Sequence, residues 1–170
     1  PHFPVWAKRG VYDRVISDGH LIHSLEHGYI VISYNCTKSI SNFQFPISNV
    51  YAHDTGTPHE EPATDSGKPL MQMRMGAIGD MSFFTPENPP ETEAELPESF
   101  ESDDCKKLIK DLWDIGDDYR RVIVVPRLDM DAPIALTAWG RLDKLQSLNK
   151  SEIKDFISVY HNQGPEKTNE

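Results

Sequence analysis

Runs of apolar residues bounded by turn-forming residues predict three short buried strands in this chain. Residues 29–34 are rich in Ile, Val and Tyr, residues 122–126 are apolar throughout, and residues 134–139 form a third, mostly apolar run. The Asp and Pro residues within 129–133 are turn signals, so we expect a hairpin-like connection between the last two strands.

Apolar residues at helical spacing predict two helices in the second half of the chain. Within residues 104–114 they recur at helical intervals, and Asp103 or Asp104 is the expected N-cap. The last helix is predicted to begin with Asn149 as its N-cap and Glu152 as the partner of a capping box. Both helices should pack against the strands.

The order of these elements predicts an α/β fold. A right-handed crossover through the 104–114 helix would make strands 29–34 and 122–126 parallel, and strand 134–139 would then add antiparallel. The resulting βαββα arrangement is a two-layer sandwich, and it overlaps the core of a thioredoxin-like fold. No Cys-x-x-Cys motif is present, so the likeness to thioredoxin is topological.

A segment dense in Pro, Ser, Thr, Asp and Glu separates the first strand from the first of these two helices. Its frequent prolines exclude a long helix or a central strand. We therefore expect one domain, residues 1–170, whose core is formed by residues 1–36 and 104–166 and which carries a long irregular insertion at its surface, residues 37–103.

Charge and hydropathy narrow the class of partner. The 17 basic residues against 27 acidic ones give a net charge of −10, which repels nucleic acid phosphates. No run of about 18 apolar residues is present, so we expect no membrane span in this chain. The chain begins at Pro1, and an anchor or signal segment, if one exists, would lie outside this sequence.

The two cysteines and two glycosylation sequons favour an extracytoplasmic, secreted protein. Cys36 ends the first predicted strand and Cys105 opens the first of the two predicted helices, so a structural disulfide between them is favoured over a redox or metal role. The sequons are Asn35-Cys36-Thr37 and Asn149-Lys150-Ser151, and their use would make the protein a glycoprotein.

A short predicted helical turn before Gly28 carries the candidate metal site. His23 and His27 are four residues apart and would share one helix face, with Glu26 beside them. His2, at the start of the N-terminal arm, would fold back as a third imidazole. Nitrogen ligands suit copper, with zinc as the alternative.

Methionines in the insertion are further candidate metal ligands. Residues 71, 73 and 75 are methionines at strand spacing, and a soft thioether from Met73 or Met75 would favour Cu(I). Alternating methionines also fill strand cores, so this assignment stays open.

Three classes of function are compatible with these residues. The first is an extracytoplasmic protein that binds or carries copper. The second is a structural or interaction protein, in which the histidines are buried core residues and the insertion contacts a protein partner. The third is a metal-dependent or redox enzyme, although a zinc protease would need the His-x-x-Glu-His motif of residues 23–27 in a longer helix.

Two assignments have alternatives of their own. Glu26 either orients a histidine or forms an ion pair with Arg9, Arg127 or Arg141. The remaining histidines are expected at the solvated surface, although His20 is close enough to join the metal site; they are His20, His53, His59 and His161.

Four stretches of the chain resemble the family called domain of unknown function 3105. They are PHFPVWAKRGVYD, LIHSLEHGYIVISYNC, DAPIALTAWGRLDKL and IKDFISVYHNQGPE. The resemblance implies an extracytoplasmic protein, secreted or membrane-anchored, and it places a family histidine at His2 and the His-x-Leu-Glu-His-Gly core at residues 23–28. The cysteines depart from the family pattern, in which the pair lies a few residues apart. The resemblance implies no reaction.

Overall fold

The computed structural model describes residues 3–38, 83–92 and 94–167. Three helices and seven strands lie within these residues, together with one 3₁₀ turn. In chain order they are β1 (Trp6–Ala7), β2 (Gly10–Val11), α1 (Asp18–Glu26), β3 (Ile30–Tyr34), β4 (Phe83–Phe84), the 3₁₀ turn (Glu98–Glu101), α2 (Asp103–Gly116), β5 (Val122–Pro126), β6 (Ile134–Ala138), β7 (Arg141–Leu145) and α3 (Lys150–Tyr160).

The main sheet has the strand order β2-β5-β3-β6-β7. Strands β2, β5 and β3 are parallel, and β6 and β7 add antiparallel. The α/β class, the parallel pairing of β3 with β5 and the antiparallel addition of β6 are confirmed. The expected hairpin between β5 and β6 is wrong, because β3 lies between them. The hairpin joins β6 to β7 instead and turns at Gly140, whose φ is +69°.

The central strands β3 and β5 are buried on both faces of the sheet. On one face, Ile30, Ile32 and Tyr34 of β3 pack into a core with α2 and α3, and the sheet and these two helices are the two layers that were predicted. Val31 lies on the other face, where it packs into a second cluster together with Leu25 of α1. This alternation follows from the period of two along a strand.

Side chains at the helix N-termini fix where α2 and α3 begin. The Ser102 hydroxyl, rather than Asp103 or Asp104, caps α2 by accepting a hydrogen bond from the backbone N–H of Cys105. The two aspartates occupy the first turn, where negative charge stabilises the helix dipole. Asn149 caps α3 as expected, accepting a hydrogen bond from the N–H of Glu152.

A disulfide joins Cys36 to Cys105, as predicted. It links the residues after β3 to the first turn of α2, with 5.7 Å between the two Cα atoms. A structural disulfide indicates folding in an oxidising, non-cytoplasmic environment. No helix in the described ranges is long and apolar enough to cross a membrane.

The end of the predicted insertion packs on the core. Phe83 and Phe84 pair in parallel with Trp6 and Ala7, and Phe100 is buried in the main hydrophobic cluster. Parts of residues 83–92 and 94–103 therefore pack against the core, whereas the prediction placed them in a surface loop. The single-domain organisation of the whole chain stays a prediction, because residues 39–82 lie outside the described ranges.

Candidate metal centre

The end of α1 brings two histidine side chains together. His23 lies in the last turn and His27 caps the C-terminus of the helix. Their ring centroids are 4.7 Å apart and the rings are perpendicular. The side chains are buried, with exposed fractions of 9 % for His23 and 4 % for His27. The four-residue spacing therefore makes the rings neighbours, as predicted.

Strand β1 fixes the position of this helix end. The Ser24 hydroxyl is fully buried and bonds to the backbone of Ala7, accepting from its N–H at 3.0 Å and donating to its carbonyl at 2.8 Å. The adjacent Trp6 packs its indole against both imidazoles, with centroids 5.2 Å from His23 and 4.6 Å from His27. The two rings are thus held between the helix and the strand.

A hydrogen bond to the N-terminal arm sets the tautomer of His23. Its Nδ1 lies 2.7 Å from the carbonyl oxygen of Phe3. Because a carbonyl only accepts hydrogen bonds, Nδ1 carries the proton and Nε2 of the neutral ring carries the lone pair. Metal-ligating histidines are commonly oriented by such a bond from the nitrogen that does not bind the metal.

The C-terminal tail supplies a carboxylate to this site. Oε2 of Glu166 lies 3.1 Å from Nε2 of His27. The backbone N–H of Glu166 donates to the carbonyl of Glu26 at 2.9 Å, and the N–H of Asn162 donates to the carbonyl of Gly28 at the same distance. Residues 162–166 are therefore hydrogen-bonded along the end of α1.

His23, His27 and Glu166 form a cluster with the composition of a metal site. One potential ligand atom from each residue lies within 4.8 Å of the other two. Two imidazole nitrogens and a carboxylate oxygen are a donor set found in zinc enzymes. In the parts of the chain that the structure describes, it is the one cluster of histidine, cysteine and carboxylate side chains with this proximity.

The structure bears differently on the other predicted ligands. Glu26 is not in the cluster, and its backbone carbonyl instead holds the tail. His2, Met73 and Met75 lie outside the described residues, so their proposed roles stay predictions. Glu166 was not predicted from the sequence, because nothing in its spacing relates it to the histidines of α1.

Ion pairs bear on the alternative interpretation of Glu26. Arg9 pairs with Asp117, and Arg127 pairs with Asp18. Two of the three arginines considered as partners of Glu26 therefore have aspartate partners in the structure.

Comparison with known proteins identifies the family. A family model described as "Protein of unknown function (DUF3105)" matches residues 1–60 and 82–170, so the chain belongs to this family. No curated protein and no solved structure gives a significant match to the chain. The description of the family assigns no reaction to its members, so the geometry of the site is the evidence for function.

Proposed function

We propose that this member of the DUF3105 family binds a divalent transition-metal ion through His23, His27 and Glu166. The observation that carries the proposal is the convergence of one donor atom from each residue within 4.8 Å, although the carboxylate comes from the opposite end of the described chain. The two imidazoles are buried, so the site would hold an ion away from bulk water on that side.

The donor atoms of the three residues, which lie within 4.8 Å of one another, must move slightly closer together for an ion to bind. Ligand atoms about 2 Å from a tetrahedral zinc ion lie about 3.3 Å from one another. The contact between His27 and Glu166 already has this length, at 3.1 Å. Glu166 is half exposed, and its side chain has the freedom to complete the site.

The donor set favours a divalent ion. Imidazole nitrogen suits both copper and zinc, and Cu²⁺ binds more tightly than Zn²⁺ to a given set of nitrogen and oxygen ligands. We therefore propose copper first and zinc as the alternative. A thioether from Met73 or Met75 would favour Cu(I), and this stays a separate prediction.

Three protein ligands would leave one coordination position open. Catalytic zinc sites have this arrangement, with water in the open position. An enzyme would in addition need a substrate site beside the open position, and we propose the simpler function, which is binding or carriage of the metal. The disulfide supports an extracytoplasmic setting, and secretion or anchoring by a segment outside this sequence belongs to the same proposal.

A structural role for the same residues is the competing interpretation. The contact between His27 and Glu166 is also what an ion pair between the helix and the tail would make. The two interpretations differ in one respect: an ion pair stabilises the fold without metal, whereas a metal site also gives saturable, stoichiometric binding.

The first experiment is elemental analysis of the natively purified protein, followed by calorimetric titration of the metal-free chain with Cu²⁺ and Zn²⁺. We expect one equivalent of metal to bind. Glu166→Gln should weaken binding by at least about tenfold, because it replaces an anionic carboxylate ligand with a neutral amide, which is a poorer donor to a divalent ion. Glu98→Gln is the matched control, since Glu98 is an exposed glutamate in the 3₁₀ turn that packs with α2.

Two further readouts separate metal binding from a structural role. Cu²⁺ bound at this site should quench the fluorescence of Trp6, which packs on both rings, and Trp6→Phe should remove that component of the quenching. Glu166→Gln should bind less metal while its melting temperature changes little. An absence of saturable binding, or equal affinity in Glu166→Gln and the native chain, would refute the proposal.

A further inference from the structure

An open cavity lies on the face of the sheet that carries α1. Helix α1 packs with β3 and β5 on this face, and no helix of the described chain covers β6 and β7 there. The opposite face is covered by α2 and α3. Because the α1 face of the sheet is only partly covered, a cavity of about 360 Å³ lies between α1 and the β6–β7 hairpin.

Small side chains on the strands form the floor of this cavity. Ser33 of β3 lies opposite Ala135 of β6, and Thr137 is two residues further along β6 on the same face. The walls are aliphatic: Ile22 of α1 is 39 % exposed and Leu142 of β7 is 57 % exposed. Apolar walls over a small-residue floor are typical of a ligand pocket, and the volume lies within the usual range.

A second apolar cavity continues the first. Its volume is about 250 Å³, and Val15, Ile16 and Pro126 contribute to its lining. Both cavities are lined by Asp18 and Arg127, which form an ion pair with each other. The two cavities and this ion pair together form what we call the α1 groove, in which a charged centre has an apolar pocket on either side.

The charged side chains that line the α1 groove are three aspartates and two basic residues, an excess of one negative charge. Arg127 pairs with Asp18, and Lys144 pairs with Asp131 at 2.7 Å. Asp129 lines both cavities and is exposed, and its carboxylate has no ion-pair partner among the residues described. One acidic group is therefore uncompensated in the groove, on a chain whose net charge is −10.

We propose that the α1 groove binds an extended peptide segment of a partner protein, in which a lysine or arginine lies between two apolar residues. Residues i, i+2 and i+4 of an extended peptide point to one side. The outer two would enter the two apolar pockets, and the central basic side chain would pair with Asp129. Pockets for alternate side chains are a general mode of peptide recognition.

This proposal is independent of the metal site. None of the three proposed metal ligands lines either cavity. It also differs from the expectation that residues 37–103 contact a partner, because the cavities are lined almost wholly by residues outside that segment.

The test uses the full chain and a pair of synthetic peptides. The probe contains the sequence Leu-Ser-Lys-Ser-Leu, with blocked ends and a fluorescent label, and its partner carries glutamate in place of lysine. Fluorescence polarisation gives the affinities, and amide chemical shifts of the ¹⁵N-labelled chain locate the site. We expect saturable binding of the lysine peptide, at least about tenfold weaker binding of the glutamate peptide, and shifts at Ala135 and Thr137.

Matched variants make the test specific. Leu142→Asp should weaken binding, whereas Val159→Asp should not, because Val159 is equally exposed at 59 % but lies on α3. Asp129→Lys should weaken binding of the lysine peptide, whereas Asp155→Lys, on the exposed surface of α3, changes the net charge equally and should not. No saturable binding, equal affinity for the two peptides, shifts confined to another surface, or no effect of Leu142→Asp would overturn the proposal.

Discussion

Gly164 lies against the backbone at the end of α1, so closely that a Cβ on it would be 2.2 Å from the carbonyl oxygen of Glu26. The same Cβ would be 2.3 Å from the backbone nitrogen of Gly28. Backbone atoms cannot rotate away as a flexible side chain does. The absence of a side chain at Gly164 therefore allows the tail to run along the end of the helix and to place Glu166 beside His27.

Gly164→Ala should destabilise the protein, because the added methyl group forces the tail away from α1. We expect a loss of about 1–3 kcal/mol in the free energy of unfolding, measured by urea denaturation. Amide exchange at Glu166 should become faster, since its N–H donates to Glu26.

Gly140→Ala is the control for this prediction. Gly140 has a φ of +69°, but a Cβ there would meet nothing within 4 Å. It should cost about 1 kcal/mol from backbone strain and leave exchange at Glu166 unchanged. Unchanged exchange at Glu166 in Gly164→Ala would contradict our account of the tail.

Removing the disulfide should destabilise the protein strongly. Cys36 and Cys105 are separated by 69 residues in sequence, and closing a loop of that size restricts the unfolded chain by about 4 kcal/mol in the entropic model. Cys36→Ala combined with Cys105→Ala should lower the urea midpoint, and reduction of the native protein should have a similar effect. A double variant with native stability would show that the bond has no structural role.

The sequence predicted the strands and helices whose pattern is set by burial. Strand β5 was predicted with its observed bounds, and the Asn149 cap was identified, because both follow from local composition. Strand β7 was missed, since four of its five residues are exposed and carry no alternating apolar pattern. The prediction of a hairpin between β5 and β6 was wrong because turn residues show where a chain turns but not which strands become neighbours in the sheet.

Two of the three residues of the candidate site were predictable for the same reason. The spacing of His23 and His27 is local, so a helix brings the rings together. The position of Glu166 depends on the close approach between Gly164 and Glu26, which are 138 positions apart in sequence. Long-range packing of this kind has no periodic signal in a single sequence.

Asn35 is a sequon residue whose side chain is part of the core. It is fully buried, and its amide donates to the carbonyls of Leu128 and Met130 while its oxygen accepts from the N–H and hydroxyl of Thr37. A glycan on that amide is incompatible with these contacts. Glycan attachment at this sequon is therefore an expectation that the folded structure does not support.

Asn35→Ala should cost at least about 2 kcal/mol in the free energy of unfolding, because it leaves buried carbonyl groups without donors. Asn149→Ala, at the other sequon, removes an exposed helix cap and should cost about 1 kcal/mol. Peptide mass spectrometry of protein made in a glycosylating host should show Asn35 unmodified. A glycan on Asn35 in the folded protein would refute this assignment.

His161 should make the protein less stable in mild acid. Contrary to the expected surface position, the ring packs against Tyr119, with centroids 5.6 Å apart. Burial, and then the positive charge of Arg121, hold the pKa of His161 below its ordinary value of 6.5. The unfolded chain therefore binds more protons in the interval between the two pKa values, so stability rises with pH there.

The contribution of His161 to the free energy of unfolding should consequently be largest above about pH 6.5, decrease as the pH falls below that value, and level off below the folded-state pKa of His161. Urea denaturation of the native chain and of His161→Gln, compared from pH 7 down to about pH 4.5, isolates this contribution, because glutamine does not titrate. The variant should show a shallower decrease over that interval. Parallel pH profiles in the two proteins would mean that protonation of His161 is not opposed by the fold.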